Sequence, residues 1–393
     1  MKRCIAFLLV LCFGFTSYAK EEPEQLYAQS AVLMDAESGR VLFSKNGEEK
    51  KAMASTTKIM TCILALEKGN LEEVVTFSET AVKQPKVHLG ASQNEQFLLI
   101  DLLYSLMLES HNDSAVAIAE AISGDVEQFS DMMNEKAMEL GCTNTYFITP
   151  NGLDAADEKG KHSTTAVDLA KIMSYCIMDS PQKENFLKIT GKSQHTFTNI
   201  EGSRTYSCRN HNAFLDMMEQ AISGKTGYTS EAGYCYVGAI RSEGRTFVVA
   251  LLACGWPNNK NYKWSDMRKL TEYGIEQYHI RTIDYFPNTD KIKVINGIPK
   301  GESLFEEAFA DTMVEGNLDT LSLLVKNDEE INYIIDQNKM INAPAKIGKR
   351  VGEIKYYIGE KEIGTFPIVI AEEVPKKKIQ WYFIKVLELY CFK

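Results

Sequence analysis

The spacing of apolar residues changes several times along the chain, and each change marks a predicted element. Residues 27–43 carry two apolar runs around a Glu-Ser-Gly triplet, which predicts a strand, a tight turn and a second strand. Apolar residues then recur at helical spacing from Ile59 to Leu66, which predicts a helix that starts near Ser55. Residues 101–107 and 115–122 predict two further helices, and the polar segment between them is typical of a cleft wall.

The second half of the chain is richer in strand signals. Residues 165–178 predict a helix, whereas residues 234–241 and 245–254 predict two buried strands joined near Gly244. Beyond about residue 280, short alternating runs are broken by Gly and Asn. This pattern indicates a second, β-rich domain.

The first nineteen residues differ in character from the rest of the chain. Lys2 and Arg3 precede an apolar run over residues 5–15, and residues 17–19 (Ser-Tyr-Ala) offer small residues at the spacing that a signal peptidase reads. We therefore interpret residues 1–19 as a signal peptide, and the protein as exported. The alternative is a permanent N-terminal anchor, but the apolar run is short for a bilayer span.

The last segment, residues 375–393, also has a pattern of its own. Three lysines open it, and apolar residues then fall on one helical face with Lys385 and Glu388 opposite. The apolar face consists of Ile379, Phe383, Val386, Leu387 and Tyr390. This pattern predicts an amphipathic helix that lies in a membrane surface. The alternative is a helix that packs on its own domain.

Composition and charge exclude several classes of function. The 393 residues are 45% hydrophobic and 24% charged, which is ordinary for a globular chain of two domains. The net charge is −10, and loss of the two positive charges in the signal peptide takes it to −12, so no nucleic-acid partner is expected. Nine cysteines, seven after signal removal, form no Cys-x-x-Cys pair, and no His, Asp or Glu cluster is visible. We expect no metal and no cofactor, and leave open one cysteine pairing or reactive thiol.

Three short motifs carry the candidate chemistry. A Ser and a Lys three residues apart at a helix start project from the same face, so that a nucleophile and its base can meet. In chain order the three motifs are Ser55-x-x-Lys58, Ser110-x-Asn112 and Lys225-Thr226-Gly227. The first two are weak alone, since residues 180–183 also fit the first and residues 92–94 also fit the second. The order strengthens the set, because it is similar to the order of the three elements of penicillin-recognising serine enzymes.

Longer stretches around these motifs resemble the low-molecular-mass penicillin-binding proteins that are D-alanyl-D-alanine carboxypeptidases. The matching stretches are residues 54–61, 110–113, 150–153, 162–168 and 224–235. The resemblance is strongest over residues 27–254 and continues more loosely through residues 343–352. It departs at His111, where relatives usually carry a small residue, and at Asn151, where many have histidine. We interpret His111 and His162 as structural histidines.

The resemblance implies the architecture. The expected fold is an α/β (α+β) penicillin-binding or β-lactamase-like transpeptidase fold, in which an antiparallel sheet is flanked by helices, with a small C-terminal all-β domain. The expected segments are a signal peptide (1–19), a catalytic domain (20–280), a β-rich domain (281–374) and an amphipathic tail (375–393).

The requirements of acyl transfer indicate the roles of Ser55 and Lys58 in the first motif. Ser55 is a poor nucleophile at neutral pH and must lose its proton to a neutral amine, so the pKa of Lys58 must be depressed. A second cation, Lys225, and partial burial would both lower it. The helix start supplies the N–H of Ser55 to an oxyanion hole, and the resemblance implies that the N–H of Tyr228 completes it.

The resemblance also implies how the leaving group and the substrate are held. Ser110 would pass the proton to the departing D-alanine nitrogen, while Asn112 would orient both the substrate amide and Lys58. The terminal carboxylate would be held by Lys225, Thr226 and Thr229. The predicted substrate-binding residues are Asn112, Lys225, Thr226, Gly227, Tyr228 and Thr229.

The implied function is therefore a serine-type D-Ala-D-Ala carboxypeptidase of the cell wall. It would remove the terminal D-alanine from peptidoglycan pentapeptides, be inhibited by β-lactams such as penicillin, and act at the outer face of the bacterial cytoplasmic membrane in wall biosynthesis and cell shape. Two alternatives stand beside it. A class A β-lactamase shares the three motifs but adds a Glu-x-x-Leu-Asn segment, which is not evident between Ser110 and Lys225. A non-catalytic wall-binding module would not need the motifs.

Overall fold

The computed structural model describes residues 22–283, 286–316 and 322–391. The interpretation of residues 1–19 as a signal peptide therefore falls outside the described residues. The chain divides into two compact units between Gln277 and Tyr278.

The first unit is a sheet with helices packed around it. In chain order its elements are β1 (Ser30–Asp35), β2 (Val41–Lys45), α1 (Lys58–Lys68), β3 (Val74–Thr76), α2 (Glu79–Val82), β4 (Gln96–Leu98), α3 (Leu99–Tyr104), α4 (Asn112–Ser123), α5 (Val126–Glu139), α6 (Ala166–Ser174), α7 (Lys183–Thr190), β5 (Gln194–Thr198), β6 (Thr205–Arg209), α8 (Phe214–Met217), β7 (Ala221–Thr229), β8 (Gly233–Ser242), β9 (Arg245–Leu252) and α9 (Tyr262–Gln277).

The central sheet has the order β2-β1-β9-β8-β7, and every neighbouring pair is antiparallel. Strand β9 lies in the middle and is buried along its whole length, as its apolar sequence requires. Glu243 and Gly244 connect β8 to β9 with positive φ angles of 51° and 75°, which suits a two-residue hairpin turn. The predicted antiparallel sheet flanked by helices is confirmed. Strand β7 forms one edge of the sheet.

The connection between helices α3 and α4 differs in detail from the sequence prediction. Helix α3 continues into a π-helical turn over Ser105–Glu109, and α4 already begins at Asn112. Only Ser110 and His111 separate them, so the predicted loop is shorter than its polar sequence suggested. The reason is that polar and acidic residues such as Asn112 and Asp113 are also favourable in the first turn of a helix.

The second unit is built from short strands and one terminal helix. Its elements are β10 (Tyr278–Thr282), β11 (Ile292–Ile295), β12 (Phe309–Ala310), β13 (Thr312–Val314), β14 (Ser322–Lys326), β15 (Ile331–Gln337), β16 (Met340–Asn342), β17 (Arg350–Ile358), β18 (Lys361–Ile370) and α10 (Ile379–Cys391). The strands form sheets with the orders β13-β18-β17-β15, β12-β11-β16 and β10-β14. A small core that includes Ile292, Val351 and Ile368 lies between the strands. The expected all-β C-terminal region is confirmed.

Candidate active site

Ser55 lies in a short 3-10 turn, Ala54–Thr57, that leads directly into α1. The turn begins with Ala54 in the left-handed region (φ 47°), and the Thr57 hydroxyl closes it by donating to the Ala54 carbonyl at 2.8 Å. The other three residues of the turn are buried, whereas Ser55 lines a cleft of about 600 Å³. The turn therefore presents one side chain, the Ser55 hydroxyl, to the cleft.

Two glycines allow the backbone to approach this turn closely. Gly152 has φ +83°, and a Cβ atom there would lie 2.0 Å from the Ala54 carbonyl oxygen. A Cβ atom at Gly227 would lie 3.0 Å from the Ser55 nitrogen. Larger residues would displace the turn, so both positions fix where Ser55 sits.

Lys58 is fully buried beneath Ser55. Its Nζ lies 2.9 Å from Ser55 Oγ, 2.8 Å from Asn112 Oδ1 and 2.6 Å from the Asn151 carbonyl oxygen. Burial holds the pKa of Lys58 well below its usual value, the charge of Lys225 lowers it further, and Asp113 opposes the shift. A neutral amine has two N–H donors for the two carbonyl oxygens and one lone pair for the Ser55 proton. The geometry thus suits Lys58 as a base.

The second and third motifs meet through Lys225. Its Nζ donates to Ser110 Oγ at 3.0 Å and to the Thr226 carbonyl at 3.0 Å. Burial lowers the pKa of Lys225 to about 7. Ser110 itself is left-handed (φ 69°), at the point where the chain turns from the π-helical turn into α4. The structure therefore places Ser110 beside Lys225.

Asn112 links the second motif to both the base and the cleft rim. Its side-chain oxygen accepts from Lys58, and its Nδ2 donates to the Pro85 carbonyl at 3.1 Å. Next to it, the His111 ring is buried and Nδ1 contacts Ser105 Oγ at 2.8 Å. Burial lowers the pKa of His111 to about 4. His111 is thus neutral near pH 7 and packs away from the cleft, as its structural interpretation expects.

The expected carboxylate-binding residues lie on β7. Thr226 and Thr229 line the cleft, together with Gly227 and Tyr228, whereas Lys225 is buried behind the cleft lining. Their environments differ. Thr229 Oγ1 donates to Asp154 Oδ1 at 2.9 Å and accepts from the Ala232 nitrogen at 3.0 Å. The hydroxyl of Thr229 is thus already hydrogen-bonded in the free protein.

Sequence reasoning missed several contributors. The Asn151 carbonyl oxygen holds Lys58, a role that no residue type signals, because any residue has a carbonyl. Lys263 also lines the cleft, packs on the rings of Tyr234 and Trp264 at 4.8 and 4.6 Å, and has its pKa lowered to about 8 by burial. Lys263 lies in α9, outside the three motifs, and no pattern in the surrounding sequence predicted that it lines the cleft.

His162 supports the Ser55 turn from below. Its Nδ1 accepts from the Ile148 nitrogen at 2.9 Å, so the proton is on Nε2, which lies 2.8 Å from Thr57 Oγ1. Burial lowers the pKa of His162 to about 4, so it is neutral near pH 7. This arrangement agrees with a structural histidine.

No cluster of three or more His, Cys, Asp or Glu side chains that could bind a metal is found in residues 22–283, 286–316 and 322–391. The six cysteines whose side chains are described are unpaired and buried; they are Cys62, Cys142, Cys176, Cys208, Cys235 and Cys254.

A buried lysine beneath a serine, a second lysine in hydrogen-bond contact with another serine, and an open edge strand define a serine peptidase of the penicillin-binding class. Residues 17–253 match the family model of D-alanyl-D-alanine carboxypeptidase, and residues 316–376 match that of the penicillin-binding protein 5 C-terminal domain. The chain belongs to the D-alanyl-D-alanine carboxypeptidase family.

Known relatives cover nearly the whole chain. D-alanyl-D-alanine carboxypeptidase DacF of Bacillus subtilis is 29% identical over 96% of this chain and 95% of its own length. The crystal structure of penicillin binding protein 5 from Haemophilus influenzae is similar with a TM-score of 0.68 and 25% identity, covering 91% of this chain and 100% of that one. DacD from Francisella tularensis has the same fold, with a TM-score of 0.69 and 21% identity, over 90% of this chain and 95% of its own.

Family membership identifies the chain as a serine-type D-Ala-D-Ala carboxypeptidase that acts on peptidoglycan and binds β-lactams. This confirms the function implied by the motifs and does not favour the two alternatives.

Gly152→Ala should slow acylation by a fluorescent penicillin at least about tenfold, because the added Cβ would push on Ala54 and displace Ser55. The matched control is Gly202→Ala, where φ is also positive (+69°) but no atom lies within 4 Å of the added Cβ. The positive φ should cost each variant about 1 kcal/mol of unfolding free energy, and the contact with Ala54 should add to this loss in Gly152→Ala only. Equal acylation rates for the two variants would contradict the positioning role of Gly152.

Proposed function

We propose that Ser55 is the nucleophile that forms the acyl-enzyme, with Lys58 as its base. The observation that supports this assignment best is the 2.9 Å contact between Lys58 Nζ and Ser55 Oγ, made by an amine whose burial and cationic neighbour lower its pKa. A neutral Lys58 takes the Ser55 proton as the oxygen attacks the carbonyl of the penultimate D-alanine. The backbone N–H groups of Ser55 and Tyr228 stabilise the oxyanion.

The second half of the acylation step needs a proton for the leaving group. Lys58 returns its proton through Ser110 to the nitrogen of the terminal D-alanine, and the C–N bond breaks. Asn112 keeps Lys58 oriented during this transfer, which its 2.8 Å contact supports. Water then attacks the Ser55 ester by the same route in reverse, which releases the shortened peptide and restores the Ser55 hydroxyl.

The substrate carboxylate is held at the Lys225 end of the cleft. Lys225 supplies the positive charge, and the hydroxyl of Thr226 donates a hydrogen bond. Thr229 also belongs to this set, and it must release Asp154 in order to donate to the carboxylate. Gly227 provides close access to Ser55, and Tyr228 provides the second oxyanion donor. These roles require a protonated Lys225 beside a neutral Lys58, so the pKa of Lys58 must be the lower of the two.

A β-lactamase would need a group that activates water against the penicilloyl ester. Glu109 is the one carboxylate among the described residues that line the cleft. It accepts from the Arg209 nitrogen at 2.8 Å and contacts His211 Nε2 at 2.7 Å, so it is already engaged. This supports slow release of penicillin, as expected for a carboxypeptidase that penicillin inhibits.

Ser55→Ala should abolish both D-alanine release and covalent labelling by a fluorescent penicillin, because both reactions acylate the same oxygen. A pentapeptide ending in D-Ala-D-Ala and an assay for free D-alanine provide the first measurement. Labelling that persisted in the variant would assign the nucleophile to another residue.

The rate at which the wild-type enzyme recovers from penicillin distinguishes a carboxypeptidase from the β-lactamase alternative. After labelling with penicillin and removal of the excess, D-alanine release should return slowly, with each factor of ten in rate equal to about 1.4 kcal/mol of barrier. Recovery within seconds, with steady penicillin hydrolysis, would favour a β-lactamase.

The pH dependence of kcat/KM should reflect the protonation of both Lys58 and Lys225. The kcat/KM for a free-acid peptide should rise as Lys58 loses its proton, and fall above pH about 7 as Lys225 loses the charge that holds the carboxylate. Lys225→Arg should remove this alkaline limb, because Arg stays protonated. A peptide amidated at its C-terminus is the control and should show no such limb. An unchanged limb in Lys225→Arg would exclude Lys225 as its source.

We further propose that the protein is exported through residues 1–19 and held at the outer face of the cytoplasmic membrane by its tail. Helix α10 supports this, because its apolar side chains are exposed on several sides and Ile379 and Tyr390 are 88% and 84% exposed. Lys385 pairs with Glu388 within α10 and with Glu302 outside it, and the second contact fixes one side of the helix to its own unit. Three lysines before α10 would attract anionic lipid headgroups. No helix in the described part of the chain is long and apolar enough to span a bilayer.

Deletion of residues 376–393 should move the mature enzyme from the membrane pellet to the soluble fraction while D-alanine release is retained. The physical reason is that burial of exposed apolar side chains in the lipid interface is lost. Fractionation followed by the activity assay measures both quantities. Equal recovery of full-length and truncated protein in the pellet would show that α10 only packs on its own unit.

A further inference from the structure

The two carbonyl oxygens that accept hydrogen bonds from Lys58 belong to residues that also bind one short segment at the rim of the cleft. These oxygens are Asn112 Oδ1 and the Asn151 carbonyl, at 2.8 and 2.6 Å from Lys58 Nζ. The segment consists of residues 84–87, which we call the rim segment, and two of its residues line the catalytic cleft. Two short hydrogen-bonded routes therefore connect the rim segment to Lys58.

The first route runs through Asn112 and ends on the backbone of the rim segment. Asn112 Nδ2 donates to the Pro85 carbonyl at 3.1 Å, and the Asn112 nitrogen donates to the Val87 carbonyl at 2.8 Å. Both acceptors are backbone carbonyls, so this route does not depend on which side chains the rim segment carries. A substitution of one rim side chain should leave it in place.

The second route runs through two side-chain amides. Asn151 Oδ1 accepts from the Leu153 nitrogen at 3.1 Å, so Nδ2 is the donor end of this amide, and it donates to Gln84 Oε1 at 3.0 Å. Gln84 Nε2 in turn donates to the Thr80 carbonyl at 3.2 Å. The directions of the three hydrogen bonds are consistent with one another. Gln84 is thus the one rim side chain that reaches Asn151 in this route.

These contacts hold Asn151 from two sides while its backbone carbonyl faces Lys58. Asn151 is buried, so an Nδ2 group without its acceptor would be costly. If the Gln84 amide were removed, the segment around Asn151 could relieve this cost by moving. Any such movement would also displace the carbonyl that lies 2.6 Å from Lys58 Nζ.

We propose that Gln84 is a positioning residue for the acylation step, which acts through the Asn151 side chain to hold the carbonyl that faces Lys58. The inference rests on the proposed function, because Lys58 matters here as the base of Ser55. Gln84 itself touches neither Lys58 nor the reacting atoms in this scheme. Its effect on the reaction passes through Asn151.

Loss of this carbonyl should change the proton affinity of Lys58 in one direction. A protonated amine has three N–H donors and a neutral amine has two, so a carbonyl acceptor favours the protonated form. Without the acceptor, the pKa of Lys58 should fall below its value in the wild type. The acid limb of the acylation rate, which follows deprotonation of Lys58, should then move to lower pH.

Other ionisable groups also act on Lys58, and their influence must be separated from that of Gln84. They are Lys225, His111 and Asp113. Asp113 is the group that a change at Gln84 could disturb, because its carboxylate accepts from two backbone nitrogens just beyond the rim segment. A shift transmitted through Asp113 would not require Asn151, whereas the proposed route does.

The test compares Gln84→Met with Gln182→Met by the pH dependence of covalent labelling with a fluorescent penicillin. Gln182 is the matched control, because it is also partly buried, its Oε1 accepts from Asn185 Nδ2 at 2.8 Å, and it lies outside the cleft lining. Gln84→Met should move the acid limb to lower pH by about half a unit and lower the maximal rate about threefold, since Lys58 loses a hydrogen bond to its charged form and is less well held. Gln182→Met should match the wild type.

The Asn151→Ala background tests the route itself. Adding Gln84→Met to this background should cause no further shift, because the partner of Gln84 is already absent. A further shift as large as that of Gln84→Met alone would assign the effect to another route, such as Asp113, and overturn the inference. Thermal unfolding checks that every variant is folded. If Asn151→Ala does not fold, Asn151→Ser, whose side chain is too short to reach Gln84, takes its place.

The wild-type profile distinguishes failure of this inference from failure of the proposed function. A labelling rate without an acid limb in the wild type would refute the role of Lys58 as base, and with it the role of Gln84. A normal limb in the wild type that stays in place in Gln84→Met, or that moves equally in Gln182→Met, would refute the role of Gln84 alone.

Discussion

The candidate active site depends on two lysine amines, Lys58 and Lys225, that are buried beneath one cleft. Burial penalises a charged amine, and two charges close together penalise it again, so the site has a strong tendency to keep one amine neutral. Lys58 meets this demand with two carbonyl acceptors and a serine hydroxyl, whereas Lys225 has a serine hydroxyl and a backbone carbonyl. In the mechanism that we propose, this difference in surroundings makes Lys58 the base and Lys225 the cation, although both residues are lysines.

Backbone atoms, rather than side chains, make several of the contacts that hold Lys58 and the Ser55 turn in place. The Asn151 carbonyl reaches Lys58, and Gly152 and Gly227 let their segments approach the Ser55 turn to distances that a Cβ atom would forbid. His162 connects the same turn to the loop at Ile148. Ser55, the nucleophile that we propose, is thus held by segments from widely separated parts of the chain, which is the preorganisation that acyl transfer requires.

Much of the fold could be predicted because apolar periodicity reports burial directly, as the fully buried β9 illustrates. The order of the three motifs along the chain made the candidate site predictable, although the first two motifs alone were weak. The start of α4 at Asn112 was harder, because the same polar residues serve loops and helix starts. Lys263 and the Asn151 carbonyl could not be predicted, since their contributions arise only when distant segments meet. The bond between Thr229 and Asp154 is of the same kind.

The six described buried cysteines have a consequence for a chain that is exported as we propose. Burial raises the pKa of Cys142, Cys208 and Cys235 to about 12, so these three side chains present almost no reactive thiolate in the native protein. In the unfolded chain the same thiols titrate near pH 8.5 and are open to oxidants outside the cell. Folding must therefore bury these thiols before oxidants react with them. Early burial of these sulfurs would limit incorrect cross-links in a chain that is exported as we propose.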